Sequence, residues 1–162
     1  MKLTTLILLA LACTVTARAD ETLRPGEGLH VDMHKNPGCG CCDIWADHLR
    51  AFGFTVRSTE DADILDFKAK YSIPAAAMSC HTGIVEGYFV EGHVPARDIL
   101  RLLKEKPDGV TGLAVPGMPL GSPGMEHPRP QDFRTVALLS DGGAYVFADH
   151  EAGKDHGPDE SE

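Results

Sequence analysis

The feature that most constrains this chain is Cys39-Gly40-Cys41-Cys42, three cysteines in four residues set between segments of opposite periodicity. Upstream, Leu29-His30-Val31-Asp32-Met33 alternates apolar with polar and runs into the turn signal Asn36-Pro37-Gly38, which predicts a strand over 29–35. Downstream, Trp45, Leu49 and Phe52 recur at i, i+4 and i+7, predicting an amphipathic helix over 43–52 that Gly53 ends. The cysteines therefore fall at a helix N-terminus, where unpaired N–H groups favour a thiolate and make the sulfur both nucleophile and metal ligand. Cys39 and Cys42 have the C-x-x-C spacing of dithiol redox proteins and are the candidate catalytic pair, with a plain disulfide as the alternative. Cys41 is superfluous to such a pair, because a third thiol invites scrambling, and it shifts the reading toward metal.

The rest of the chain places that motif in an α/β fold. Phe54 to Ser58 reads as a second strand, and Asp61 is a candidate cap for a helix carrying Ile64, Phe67 and Tyr71. After Ser79-Cys80-His81-Thr82, the stretch Gly83 to Val90, a turn at Glu91-Gly92 and His93-Val94 predict a hairpin. A helix from Pro95 to Lys106 follows, with Ile99, Leu102 and Leu103 as its buried stripe. This order is that of a thioredoxin/glutaredoxin-like domain, in which the loop entering the third strand packs against the cysteine motif. Here that loop carries Cys80 and His81. A second threading puts Pro74 in the loop and moves Cys80 about 20 Å away at 3.3 Å per residue, and the first is preferred.

Beyond Pro107 the composition turns to proline and glycine, predicting a C-terminal extension made of an irregular Met/Pro/Gly loop and a hairpin over 133–140 and 144–148. The expected organisation is a signal peptide over 1–19, the thioredoxin-like domain over 20–107, the extension over 108–148 and an acidic, disordered tail over 149–162. The first residues carry Lys2, an apolar run from Leu3 to Val15 and the small residues of Ala17-Arg18-Ala19, which read as a cleavable secretory signal and a periplasmic destination. The run is too short for a span of about 20 residues, and no other segment could span a membrane. Cys13 raises a lipoprotein alternative, disfavoured because Ala10 stands where such signals want Leu. Losing Lys2 and Arg18 leaves 13 basic residues against 24 acidic ones, a net charge of −11 that disfavours nucleic acid and anionic lipid and leaves cations as partners.

The candidate metal ligands are Cys39, Cys41, Cys42, Cys80, His81, Met118 and Met125. Four thiolates and an imidazole could close a zinc site, the commonest reading of clustered Cys and His. Zinc explains neither methionine, whereas thioethers are soft ligands that suit Cu(I). The competing reading of Met118 and Met125 is that each fills a gap beneath the loop. His127 is a further candidate, while His34, His93, His150 and His156 read as turn, strand-end or tail residues, and Met33 and Met78 as core.

Four motifs in one order carry a resemblance: Cys39-Gly40-Cys41-Cys42, Ser79-Cys80-His81-Thr82, Glu91-Gly92-His93-Val94-Pro95, and Gly117-Met118-Pro119 with Gly121-Ser122-Pro123-Gly124-Met125. Over residues 29 to 148 the chain resembles the CopG-type copper-resistance proteins of Gram-negative bacteria, a family long filed as a domain of unknown function. The resemblance implies a periplasmic thioredoxin-like domain whose extension helps bind copper, and a role in handling or interconverting Cu(I) and Cu(II). Four thiolates put excess negative charge on one monovalent ion, so several coppers per chain are expected, with a periplasmic copper exporter or chaperone as a candidate partner. The alternatives are a periplasmic thiol-disulfide oxidoreductase using Cys39 and Cys42, a passive copper store and a zinc-binding protein.

Overall fold

The structure, a computed structural model, describes residues 24–154 and 156–158. The signal segment and Cys13 lie outside them. One seven-stranded sheet organises the chain, built from β1 (His30–Lys35), β2 (Thr55–Glu60), β3 (His81–Val85), β4 (Tyr88–Glu91), β5 (Val110–Ala114), β6 (Phe133–Leu139) and β7 (Ala144–His150). Its strand order is β2-β1-β3-β4-β5-β6-β7, with β1 parallel to β2, β4 parallel to β5, and the other neighbours antiparallel. Helices α1 (Gly40–Ala51) and α3 (Ala96–Glu105) pack on one face, and α2 (Ile64–Lys70) with a 3₁₀ turn at Ala75–Ala77 on the other.

The first face holds the main core, where Trp45, Ala46 and Leu49 of α1 and Ile99 and Leu102 of α3 are wholly buried against Val31, Met33, Val90 and Leu113. Each such large side chain contributes about 1.5–3 kcal/mol on leaving water. The indole of Trp45 lies over Gly83, where a Cβ would stand 3.3 Å from the ring and 3.0 Å from Val31, so the absence of a side chain at 83 lets α1 settle onto the sheet. Phe89, Ala114 and Leu138, the alternating residues of the same strands, form the smaller core on the opposite face with Ile73 and Ala77.

Five expectations change. Helix α1 starts at Gly40 with Cys39 as its N-cap, so Cys41 and Cys42 lie inside its first turn rather than before it. Asp61 does not cap α2; its Oδ1 accepts from the Asp63 N–H at 3.0 Å, and Asp63 takes the N-cap position. The hairpin turns at Glu86-Gly87, not at Glu91-Gly92: Val85 pairs with Tyr88, and both turn residues have positive φ, 47° and 84°, as a two-residue turn of right-handed twist requires. Further, β5 is a strand in a stretch whose sequence signals no regular element up to residue 114. It is short, buried and without alternation, and at Gly112 any Cβ would collide with Phe89. Through β5 the β6–β7 hairpin joins the main sheet. Strand β7 runs on to His150, and Arg97 Nη2 donates to the Gly157 carbonyl at 2.9 Å, so part of the segment expected as tail is docked on α3.

Candidate metal centre

The site forms where the start of α1 meets the start of β3. Antiparallel pairing of β1 with β3 sets Lys35 opposite His81, and the Cys80 carbonyl accepts from the Asn36 N–H at 3.3 Å, which brings Cys80 under the cysteine turn. Its Sγ lies 3.4 Å from Cys42 Sγ. The threading with Pro74 in the loop, which separated these residues, is thereby excluded. Cys39 and Cys42 are joined in a disulfide, Cys41 and Cys80 are free thiols, and Cys39 Sγ lies 3.6 Å from Cys41 Sγ. Lys35, buried beneath the turn, donates to Asp43 at 2.7 Å and to the Cys39 carbonyl at 3.4 Å, fixing the entry to α1.

Two imidazoles complete the cluster. His81 Nδ1 stands 3.3 Å and His93 Nε2 3.2 Å from Cys80 Sγ. The ligand atoms of Cys39, Cys41, Cys42 and Cys80 lie within 4.8 Å of one another, as do those of Cys80, His81 and His93, so Cys80 belongs to both groups. A hairpin turn at Glu91-Gly92, the sequence expectation, puts His93 in a turn and away from the site. With the turn at Glu86-Gly87, Thr82 pairs with Glu91, and continuing that register two residues outward sets Cys80 opposite His93. Correct placement of the Glu-Gly turn was the signal that could have found it.

The extension closes over the cluster through its backbone. The Pro123 carbonyl accepts from His93 Nδ1 at 2.8 Å, which leaves the Nε2 lone pair facing Cys80, the orientation a ligating imidazole adopts. Gly124, at φ +84°, packs so close that a Cβ would stand 2.7 Å from the Cys41 carbonyl and 2.8 Å from the Trp45 nitrogen. Ser79 Oγ donates to the Gly117 carbonyl. Met118 and Met125 each follow one of these docked glycines. Met118 is 53% exposed, which rules out the gap-filling role for it, and Met125 is half-buried. Met33 is core, as expected. His127 is exposed and bonded to the Arg129 backbone, His34 pairs with Asp61 at 3.0 Å, and His150 pairs with Asp98 at 2.9 Å.

A polar network on the opposite face holds β3 and β4 in place. Lys68 Nζ reaches Glu91 at 2.5 Å and Thr82 at 2.9 Å, and Glu91 accepts from the Ser79 N–H at 2.5 Å, one residue from Cys80. Lys68 and Glu91 are both buried, and burial pushes the Glu91 carboxyl above its usual range against the pull of Lys68.

The electrostatics suit a metal that displaces protons. Burial, reinforced by Cys41, pushes the Cys80 thiol up to about 11, and burial drives His81 well below the usual imidazole range. Burial also lowers His93, opposed by the Pro123 carbonyl. His81 Nε2, buried against Trp45 with ring centroids 4.3 Å apart, has no hydrogen-bond partner among the described residues. Neutral imidazoles beside thiols, one nitrogen orphaned and another preset by a carbonyl, fit a soft metal ion better than they fit a solvated cluster.

Fold and geometry thus define a mixed α/β protein with a Cys/His candidate metal centre. Residues 77–125 match a family model described as a protein of unknown function, DUF411. No curated protein matches the chain. Two solved structures titled copper resistance protein copG, form 1 and form 2, are 44% and 46% identical to it. Each superposes with a TM-score of 0.72 over 76% of this chain, covering 98% and 99% of theirs. The chain belongs to the CopG family of copper resistance proteins.

Proposed function

We propose that this protein binds Cu(I) in the periplasm as part of copper resistance, using Cys39, Cys41, Cys42, Cys80, His81 and His93, with Met118 and Met125 supplied by the extension. The observation that carries the reading is that Cys80 is shared by a four-sulfur group and a Cys/His/His group, as a thiolate bridging two metal positions would be. More than one copper per chain follows. The β2-β1-β3-β4 core with a cysteine turn at the α1 N-terminus supports the thioredoxin-like description. Reducing the Cys39–Cys42 disulfide takes two electrons, which two Cu(I) ions supply as they become Cu(II), so the same site suits interconversion of the two states. The short apolar leader supports export, and an exporter or chaperone of copper is the matching partner.

Elemental analysis of the reduced protein, loaded with Cu(I) without oxygen and desalted, tests this reading. Two or more coppers per chain, not displaced by equimolar zinc, is the expected result; a single copper, or zinc retained in preference, overturns it. The disulfide at a helix N-terminus favours one second reading, a thiol-disulfide oxidoreductase. That reading predicts catalytic reduction of insulin disulfides, unaffected by Met118→Leu and Met125→Leu.

A further inference from the structure

The disulfide is flanked on both sides. Cys42 Sγ faces the free Cys80 thiol at 3.4 Å, and Cys39 Sγ faces the free Cys41 thiol at 3.6 Å. A thiol in van der Waals contact with a disulfide sulfur is placed for exchange, which requires only that the attacking sulfur close to the bonded distance of about 2.05 Å. The two flanking thiols are not equivalent. Cys41 faces Cys39, two residues away in the same turn, so its attack would only shift the bond within that turn. Cys80 arrives from a different part of the chain, the residue before β3, with its sulfur 3.4 Å from the buried sulfur of Cys42.

We infer that Cys80 moves the disulfide inward: its sulfur attacks Cys42 Sγ, the Cys39–Cys42 bond breaks, a Cys42–Cys80 bond forms, and Cys39 leaves as a thiol. The step is internal and balanced. One S–S bond replaces another, no external oxidant or reductant is consumed, and the proton lost by Cys80 ends on Cys39.

The consequence is a change in which thiols face outward. With Cys39–Cys42 bridged, the free thiols are Cys41 and Cys80, on opposite sides of the bond. With Cys42–Cys80 bridged, the bridge includes Cys42, which is wholly buried, and the free pair becomes Cys39 and Cys41, both partly exposed and already neighbours. Two adjacent thiols are the soft acceptor that selects Cu(I). An oxidised chain therefore keeps a capture site at its mouth without first being reduced, which matters in an oxidising compartment. This last consequence rests on the copper reading above; the exchange itself does not.

The test is disulfide mapping of the metal-free, oxidised full-length protein. Free thiols are trapped with a maleimide over a time course, and the digest is read by mass spectrometry. Wild type is expected to accumulate maleimide on Cys39 together with a linked Cys42–Cys80 peptide pair, at a rate at least 10-fold above Cys80→Ser. Oxidised Cys39→Ser is expected to give the Cys42–Cys80 bridge as a monomer. A wild-type map showing only Cys39–Cys42, or a Cys39–Cys41 bridge with Cys42 trapped, overturns the inference, as does Cys39→Ser that oxidises only between chains. Competition of the oxidised wild type against a Cu(I) chelator is a separate arm. Loss of copper there with the Cys42–Cys80 bridge present removes the capture role and leaves the exchange standing.

Discussion

His81 and His93 are the residues whose chemistry is most altered by folding. Burial holds both imidazoles neutral, His81 well below the ordinary value of 6.5. A group whose folded pKa is depressed in this way favours the folded state fully above 6.5. That contribution is lost as pH falls, because the unfolded chain takes up protons that the folded chain refuses. Each such imidazole costs at most about 1.4 kcal/mol per pH unit, and only between 6.5 and its own folded value. Metal-free protein is therefore expected to lose roughly 1–3 kcal/mol between pH 7.5 and 5.5, read from urea midpoints, and an unchanged midpoint would contradict the burial argument. His93→Ala is expected to weaken Cu(I) binding by about 10- to 100-fold in chelator competition, whereas His127→Ala, exposed and remote in its bonding, should leave it unchanged. The clustering of the cysteines and His81 was legible in the sequence, because flanking periodicity put three cysteines at a strand–helix junction and the element order put Cys80 and His81 in the facing loop. His93 was not, because its role depends on pairing register, which a shift of the hairpin turn from Glu86-Gly87 to Glu91-Gly92 erases.

At the scale of elements, β3 and β4 are fixed from behind by a buried charge pair and α1 from in front by a glycine. Breaking the Lys68–Glu91 pair with Lys68→Met leaves a buried carboxylate without its cation, and a loss of about 3–5 kcal/mol in unfolding free energy is expected by denaturant titration. Gly124→Ala acts on the other side. A Cβ there enters the space of the Cys41 carbonyl and the Trp45 nitrogen, at a φ that disfavours any side chain. The extension loop must then lift, taking the Pro123 carbonyl from His93, so the variant is expected to bind Cu(I) at least several-fold more weakly than wild type in the same chelator competition. The helices and β1 were readable because their apolar residues keep strict periods. Strand β5 was not: Val110–Ala114 is buried on both faces, and a short apolar run without alternation carries no period to detect.

For the whole molecule, the extension shares one continuous sheet with β1 and β3 and one core with α1, the helix that carries Cys41 and Cys42. Phe133 and Ala137 of β6 belong to the same buried cluster as Trp45 and Leu49. Thermal unfolding followed by near-ultraviolet and far-ultraviolet circular dichroism is therefore expected to give coincident single transitions, and two separated transitions would show that the extension folds apart. A chain ending at Pro107 would strip β5 from β4 and expose Val90 and Ile99, and it is expected to be recovered as aggregate.

The packing of Trp45 has a further consequence. It is the sole tryptophan of the chain, it is wholly buried, and its indole lies 4.3 Å from the ring of His81. Its emission therefore comes from one environment at the wall of the cysteine–histidine cluster. A paramagnetic Cu(II) ion arriving there should quench that emission strongly, while Zn(II), with a filled d shell, should change it little. The protein carries its own optical reporter, and a fluorescence titration on unlabelled material would resolve the order in which the site fills and the oxidation state it holds.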